Sequence, residues 1–571
     1  MLDTLIRGGE VVDGTGAPAR RADVGISGGR IVSLGRDLGP ARSVISADGL
    51  LVTPGWVDIH THYDGQATWD PAMTPSSWHG VTTAVFGNCG VGFAPVRPGC
   101  ERYLINLMEG VEDIPESVLA EGIDFRWESF GQYLDVLDET PRAMDIGAQV
   151  PHAALRFYVM GERGADHRER PRAGEIQRMG ELLERALHDG ALGFTTSRTV
   201  KHRAADGRPT PSLSADEPEL AGLARAMRRA GKGVIEVNSD FGAGDFGLLR
   251  EAAELAGRPL SVLLVQVDNA PQLWAQTLAG VDRAVADGLP FTAQVGSRAI
   301  GVLMTLRGTV HPFSTHPLWK SLLEKGLDAA IEALTADSGL RARLVAERPQ
   351  DGHAQWMNRA IERTFELGEP VDIEPDPARS VARLARAQDR DPFDLVLELL
   401  LRDGGRNILL HPFENYHSGD LSAVEAMLRN PNTVCGVADG GAHVGLICDA
   451  SSPTTLLSHW ARDRTRGARL PLPWLVHKQT QATAHCYGLF DRGVIAPGYR
   501  ADINIIDFEH LGVGRPWMAH DLPAGGRRLL QRASGYRHTF VAGVEVRRHD
   551  EDTGARPGRL VRGSQSAPLA N

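Results

Sequence analysis

Apolar runs of four to six residues recur through the middle of this chain, separated by longer stretches of helical period, whereas the two ends follow a different rhythm. Residues 2 to about 52 alternate short apolar runs with glycine turns, as in Leu5-Ile6-Arg7-Gly8-Gly9, Val11-Val12-Asp13-Gly14 and Val24-Gly25-Ile26-Ser27-Gly28-Gly29. Runs so closely spaced predict a small antiparallel sheet. Residues 495–507 and 539–546 repeat the style, so the two ends are expected to form one β-rich accessory domain. Between them, candidate strands alternate with amphipathic helices, the pattern of a parallel sheet or barrel. The candidates are residues 57–62, 81–87, 145–150, 191–196, 233–237, 260–265, 291–295 and 434–439. Eight is the strand number of the (β/α)8 barrel.

A further run at 407–412 could replace one of the eight. Residues from about 298 to 406 hold more helical pattern than one barrel helix needs, which predicts an insertion able to lie over a site. The end of the chain, polar and rich in glycine and proline, is expected to be mobile. The predicted organisation is therefore an α/β protein. A β-domain comes from residues 1–53 plus 494–549, a barrel from 54–493 with its insertion at 298–406, and a tail from 550–571.

Composition narrows the classes. The chain has 571 residues, 42% hydrophobic and 23% charged, with a net charge of −11, which is ordinary globular composition. No basic cluster interleaved with aromatics occurs, so nucleic acid is not an expected partner. The first residues lack an apolar signal core and nowhere do 18 apolar residues run together, so a cytoplasmic protein without a membrane segment is expected. Five cysteines without a C-x-x-C pair predict neither a disulfide framework nor a zinc ribbon. Only five of the 61 basic residues are lysines, the first of them Lys201.

The chemistry starts at His60 and His62, which close the run Leu51-Val52-Thr53-Pro54-Gly55-Trp56-Val57-Asp58-Ile59. A spacing of two puts both imidazoles on one face of a strand, where they can present ring nitrogens to one divalent ion about 2 Å away. The C-terminal strand ends are where parallel barrels carry their chemistry. Alone, His-x-His marks a solvent-facing strand edge as readily. Cys89 follows the second candidate strand; a thiol there is either packing or, once ionised, a zinc ligand. His152 and Arg156 follow the third strand, and Asp439 ends the eighth in Ala438-Asp439-Gly440-Gly441, which by itself reads as a turn.

Together these residues resemble the amidohydrolase superfamily, and within it the N-acyl-D-amino-acid deacylase (D-aminoacylase) family. The matching pieces are Gly55-Trp56-Val57-Asp58-Ile59-His60-Thr61-His62, Gly80-Val81-Thr82-Thr83 with Gly87-Asn88-Cys89-Gly90, and Ala438-Asp439-Gly440 with His443. The closing Gly488-Leu489-Phe490-Asp491-Arg492-Gly493 and Gly498-Tyr499-Arg500-Ala501-Asp502 complete the set, which spans almost the whole chain. The resemblance implies a TIM-type (β/α)8 barrel with a small β-sandwich built from both chain ends, zinc dependence, and hydrolysis of the amide of an N-acyl-D-amino acid. It implies His60, His62, Cys89 and Asp439 as metal ligands, with Asp439 also taking a proton from the attacking water. In this branch a cysteine stands in for the carboxylated lysine of hydantoinase-like relatives, and the absence of any lysine before Lys201 agrees with that.

The chain departs from the family in one respect. The family's two further histidine ligands lie on the fifth and sixth strands, but no histidine occurs between His202 and His311. Asn238 and Gln266 stand at or beside those positions, and amide oxygens bind zinc poorly beside imidazole or thiolate. One zinc per chain is therefore expected. Asp240 or Asp268 could be replacement ligands, or simply helix caps. His152 is a candidate oxyanion stabiliser; Arg156, Arg198, Arg298 and His443 are candidates to hold the small-molecule N-acyl substrate. A homo-oligomer is compatible with the sequence. Two other readings are a hydrolase of a cyclic amide or another acyl compound, and a non-hydrolysing ligand-binding barrel. Against the last stands the cost of burying ionisable groups without a metal.

Overall fold

Eight short parallel strands, largely buried on both faces, form the scaffold of the computed structural model, which describes residues 1–569. They are β1 (Trp56–Asp58), β2 (Val81–Phe86), β3 (Asp145–Ala148, resuming at Val150–Pro151), β4 (Gly193–Arg198), β5 (Val234–Ser239), β6 (Leu260–Leu264), β7 (Phe291–Val295) and β8 (Thr433–Cys435). β1, β2 and the first half of β3 pair in parallel, and the second half of β3 pairs on through β4, β5, β6 and β7 to β8. Beyond the ends of β1 and β8, Thr61 bridges Gly440 in parallel. His62 N donates to Gly440 O at 2.8 Å and Asp439 N to His60 O at 3.1 Å.

Amphipathic helices cover the strands for identifiable reasons. In Glu217–Ala230, Asp216 caps the N-terminus by accepting from Glu219 N, a proline occupies the first turn, and Gly231 ends the helix in the left-handed region. Its buried stripe, Leu220, Leu223 and Met227, faces the stripe Met179, Leu183 and Leu187 of Ala173–Asp189.

The two chain ends meet in one nine-stranded sheet. Leu51–Pro54 pairs antiparallel with Ile503–Ile506, which pairs with Tyr536–Val541. Ile6, Val24 and Ile26 from one end share a core with Ile503, Ile505 and Phe540 from the other. The sheet is mixed rather than antiparallel: Leu2–Val11 lies parallel to both Ala41–Ser46 and Leu51–Pro54, because the hairpin Arg20–Ser27 and Arg30–Gly35 carries the chain away and brings it back in the original direction.

The run at 407–412 is not one of these parallel strands. Leu409–Glu414 pairs antiparallel with Ile300–Met304 and Phe365–Glu366, within a separate unit whose own core includes Trp319, Leu334, Leu344 and Leu400. The end of the chain is docked, contrary to its polar composition. Leu560 and Val561 are 9% and 6% exposed, Ile146 N donates to Arg559 O and Val561 N to Ile146 O. Pairing with the unmatched edge of β3 supplies backbone partners that composition could not reveal; residues 570 and 571 of the expected tail lie outside the described residues. No helix among the described residues is long and apolar enough to cross a membrane.

Candidate metal centre

His60 and His62 lie just past the last hydrogen-bonded residue of β1, yet the chain stays extended because Thr61 N donates to Val85 O and His62 N to Gly440 O. Both rings therefore keep to one face. Cys89 reaches them by a tight reversal after β2. Gly87 (φ +83°), Cys89 (φ +56°) and Gly90 (φ +70°) all occupy the left-handed region, and a side chain at Gly87 would lie 2.4 Å from Gln149 O. Asn88 pins the reversal, its amide nitrogen donating to Thr61 O and Val85 O at 3.0 Å each.

The outcome is a cluster in which one ligand atom each from His60, His62 and Cys89 lies within 4.8 Å of the others. Cys89 Sγ is 3.4 Å from His60 Nε2; Asp439 Oδ1 is 3.5 Å from His60 Nε2 and 3.8 Å from His62 Nε2. Nitrogen, oxygen and sulfur ligands at zinc distances in a tetrahedron stand about 3.4 to 3.6 Å apart. The donor set fits zinc. The far nitrogen of the His60 ring is held as a ligating histidine requires, Nδ1 lying 2.8 Å from Gln294 Oε1; His62 Nδ1 approaches Glu112 Oε1 to 3.3 Å without making a hydrogen bond.

Without a cation the electrostatics of the cluster are adverse. Burial lifts the Asp58 and Glu236 carboxyls to about 8 and, with further repulsion among the anions, holds Glu112 and the Cys89 thiol well above their usual ranges. Burial lifts Asp439 to about 6, drives the His60 ring down to about 4 and holds the His62 ring well below its normal value. Neutral imidazoles are ready ligands, and mutually repelling buried anions are relieved by a metal ion. Oδ1 of Asp439, Oε1 of Glu236 and Oε1 of Glu112 have no hydrogen-bond partner.

Several expected site residues are placed elsewhere. Both His152 nitrogens are engaged, with Thr196 Oγ1 at 2.9 Å and Glu219 Oε1 at 3.0 Å, so the ring has none to offer an oxyanion. Arg156 is 1% exposed, its Nη1 donating to both Glu219 carboxylate oxygens and its Nη2 to Glu169 O; it belongs to this buried ion network and cannot hold a substrate. Arg198 is taken by Ala215 O and Asp245, and Arg298 by Ser451 Oγ and Asp449. Gln266 is bound into the loop containing Asn415 and His417, Asp240 caps Thr199 and Val200, and Asp268 pairs with Arg363. None of these three replaces a missing histidine. Asn238 does reach the cluster, with its amide nitrogen 3.6 Å from Cys89 Sγ. His443 Nε2 is 3.6 Å from Glu112 Oε2, with the side chain 25% exposed.

Glu112, Glu236, Gln294 and His202 were not apparent as site residues. Glu236 alone left a sequence signal, as one charge in the apolar run Val234-Ile235-Glu236-Val237. Beside the cluster a cavity of about 230 Å³ is bounded by Asn238 and by Phe241, Leu263, Val265, Leu273 and Trp274. Its lysine, Lys201, is paired with Glu414.

A sequence model of the amidohydrolase family matches residues 43–547. The chain belongs to the amidohydrolase family. It is 33% identical to the N-acyl-D-glutamate deacylase of Alcaligenes xylosoxydans xylosoxydans, over 98% of this chain and 96% of that protein. It is 27% identical to the N-acyl-D-aspartate deacylase of the same organism, over 99% and 96%. The crystal structure of a D-aminoacylase, described as defining a novel subset of amidohydrolases, superposes with a TM-score of 0.65 at 25% identity, covering 99% of this chain and all of that one. This amidohydrolase is accordingly metal-dependent, and the candidate cluster of His60, His62 and Cys89 lies buried at the strand ends of the α/β scaffold.

Proposed function

We propose that this amidohydrolase uses one zinc ion, held by His60, His62, Cys89 and Asp439, to hydrolyse the amide bond of an N-acyl-D-amino acid. The observation that carries the reading is the meeting of the His60 and His62 imidazoles and the Cys89 thiol in one buried cluster, with Asp439 Oδ1 3.5 Å from His60 Nε2 and Asp58, Glu112 and Glu236 buried around them. We further infer that the eight strands close into a (β/α)8 barrel and that the chain ends build the small β-sandwich beside it. The Thr61 to Gly440 bridge and the shared terminal sheet support this.

Bound there, zinc supplies Lewis acidity, which lowers the pKa of water towards about 7 and polarises a carbonyl. Asp439 is the group that moves the proton. Its backbone is tied to His60 O, and its unpartnered Oδ1 faces the cluster, so it can accept a proton from the attacking water and return it to the leaving nitrogen. Glu112 and Gln294 orient the rings of His62 and His60. His443, partly exposed beside Glu112, is left to meet the substrate. The deacylases of acidic D-amino acids among the relatives support the substrate class.

The test is metal analysis together with hydrolysis of a panel of N-acetyl-D-amino acids. His60→Ala and His62→Ala should lose both metal and activity while keeping the fold, since the two rings coordinate at a strand terminus rather than pack. Retention of activity by both variants overturns the reading.

A further inference from the structure

Three groups meet on the β5 side of Cys89. The Asn238 amide nitrogen donates to Cys89 Sγ at 3.6 Å and lies 3.3 Å from His202 Nε2. His202 comes from the loop after β4, and its Nδ1 is 2.9 Å from Ser197 Oγ. In the tautomer whose Nδ1 proton goes to that hydroxyl, Nε2 keeps its lone pair for Asn238. A thiolate and an unprotonated ring nitrogen are both acceptors, so the nitrogen of the amide, not its oxygen, must face them, one N–H for each. His202 is also the last histidine before the gap that extends to His311.

We infer that the Asn238 carboxamide takes the place of a second metal ion. Its two N–H donors fill the position between Cys89 Sγ and His202 Nε2 that a cation would otherwise occupy, and the centre is mononuclear by construction. This rests on the metal centre proposed above. A thiolate that ligates one ion keeps charge on its other side, and a hydrogen-bond donor there satisfies that charge. His202 is then a positioning residue: it accepts the second amide proton and fixes the rotation of the side chain. Exchanging the amide for a carboxylate reverses the logic. In Asn238→Asp, a carboxylate oxygen, Sγ and Nε2 would face one another as three acceptors without a proton between them, which is a set of zinc ligands.

The experiment counts metal on full-length protein saturated with zinc, passed through a desalting column and measured by elemental mass spectrometry. The expected result is one zinc in the wild type, two in Asn238→Asp, and one again in Asn238→Asp combined with His202→Ala. Asn238→His, which offers an imidazole in place of the amide, should also carry two and guards against a folding defect particular to the aspartate. In the cobalt forms, the two-metal variants should show a spin-coupled signal that the wild type lacks. Two zinc ions in the wild type, or a single one in both folded Asn238 variants, would overturn the inference. No zinc in the wild type overturns the metal centre itself, a failure distinguishable because no variant then matters.

Discussion

Replacing Glu112 by Gln should move two properties in opposite directions. The side chain is 1% exposed, with Oε1 3.3 Å from His62 Nδ1 and Oε2 3.6 Å from His443 Nε2. Burial, and then the charges of Asp439, Asp64 and Glu236, hold its carboxyl well above the usual range. In the metal-free protein the folded chain therefore keeps a proton that the unfolded chain releases near pH 4.3. Because the folded state binds more protons, stability must fall as pH rises above that value, by up to about 1.4 kcal/mol per pH unit for this one group. Glutamine cannot ionise and removes that slope. The metal-free variant should be the more stable protein at neutral pH, and its advantage should grow between about pH 5 and pH 8.

With zinc bound the sign reverses. The ionised carboxylate, 3.3 Å from His62 Nδ1, would then accept from that N–H and raise the basicity of the ring, and loss of such a partner costs about 10- to 100-fold in metal affinity, or about 1.4–2.7 kcal/mol. Urea unfolding of the metal-free proteins across that pH range reads the first effect, and competition with a chelator reads the second. Equal pH slopes together with an unchanged zinc affinity would refute the reasoning.

Asp439→Asn keeps the shape but not the basicity of the side chain, so kcat should fall by about 10²- to 10⁴-fold with zinc partly retained; near-normal turnover removes Asp439 from the proton-transfer role. Glu219→Gln strips the buried Arg156 and His152 of their anion and should cost about 3–5 kcal/mol in thermal unfolding. Activity per folded molecule should be unchanged, and a selective loss of kcat instead would return His152 to the active site. The cavity beside Asn238 is lined by Phe241, Leu263, Val265, Leu273 and Trp274, and its two charged residues, Lys201 and Asp240, are already paired with Glu414 and with Thr199 and Val200, so kcat/KM should favour N-acyl-D-amino acids with large apolar side chains over acidic ones. Trp274→Ala should erode that preference, and a wild type that prefers acidic side chains would assign the cavity another role.

The meeting of His60, His62 and Cys89 was legible because each sits in a motif whose spacing has a geometric meaning. His60 and His62 share a strand face, and Cys89 stands between glycines that only a tight reversal needs. The parallel scaffold was legible for a similar reason, in its short apolar runs alternating with helical ones. What stayed hidden depends on contacts distant in sequence. Glu112 approaches His62 across 50 residues. His152 and Arg156 were expected at the site because they follow a strand, but Glu219, more than 60 residues on, claims both. The docked tail is a further instance, since its hydrogen bonds to Ile146 leave no mark on a polar segment.

The residues kept and those lost are divided by side of the site. Every proposed ligand comes from the β1, β2 and β8 ends, where backbone bonds tie the strands together: Thr61 to Val85, His62 to Gly440 and Asp439 to His60. On this side the backbone is also held in costly conformations. Cys89, Val437, Asp439 and His443 have φ of +56°, +69°, +48° and +52°, each costing of order 1–3 kcal/mol, and valine least tolerates that region. Strain of this kind persists only where the surroundings over-determine the position, which is the condition for ligands held in fixed geometry. The β5 and β6 ends, which lack histidine, carry an uncharged amide and the cavity wall of Leu263 and Val265. With no imidazole on that side, the four proposed ligands all stand on the other, and the apolar part of the cavity wall is left for a substrate side chain to occupy.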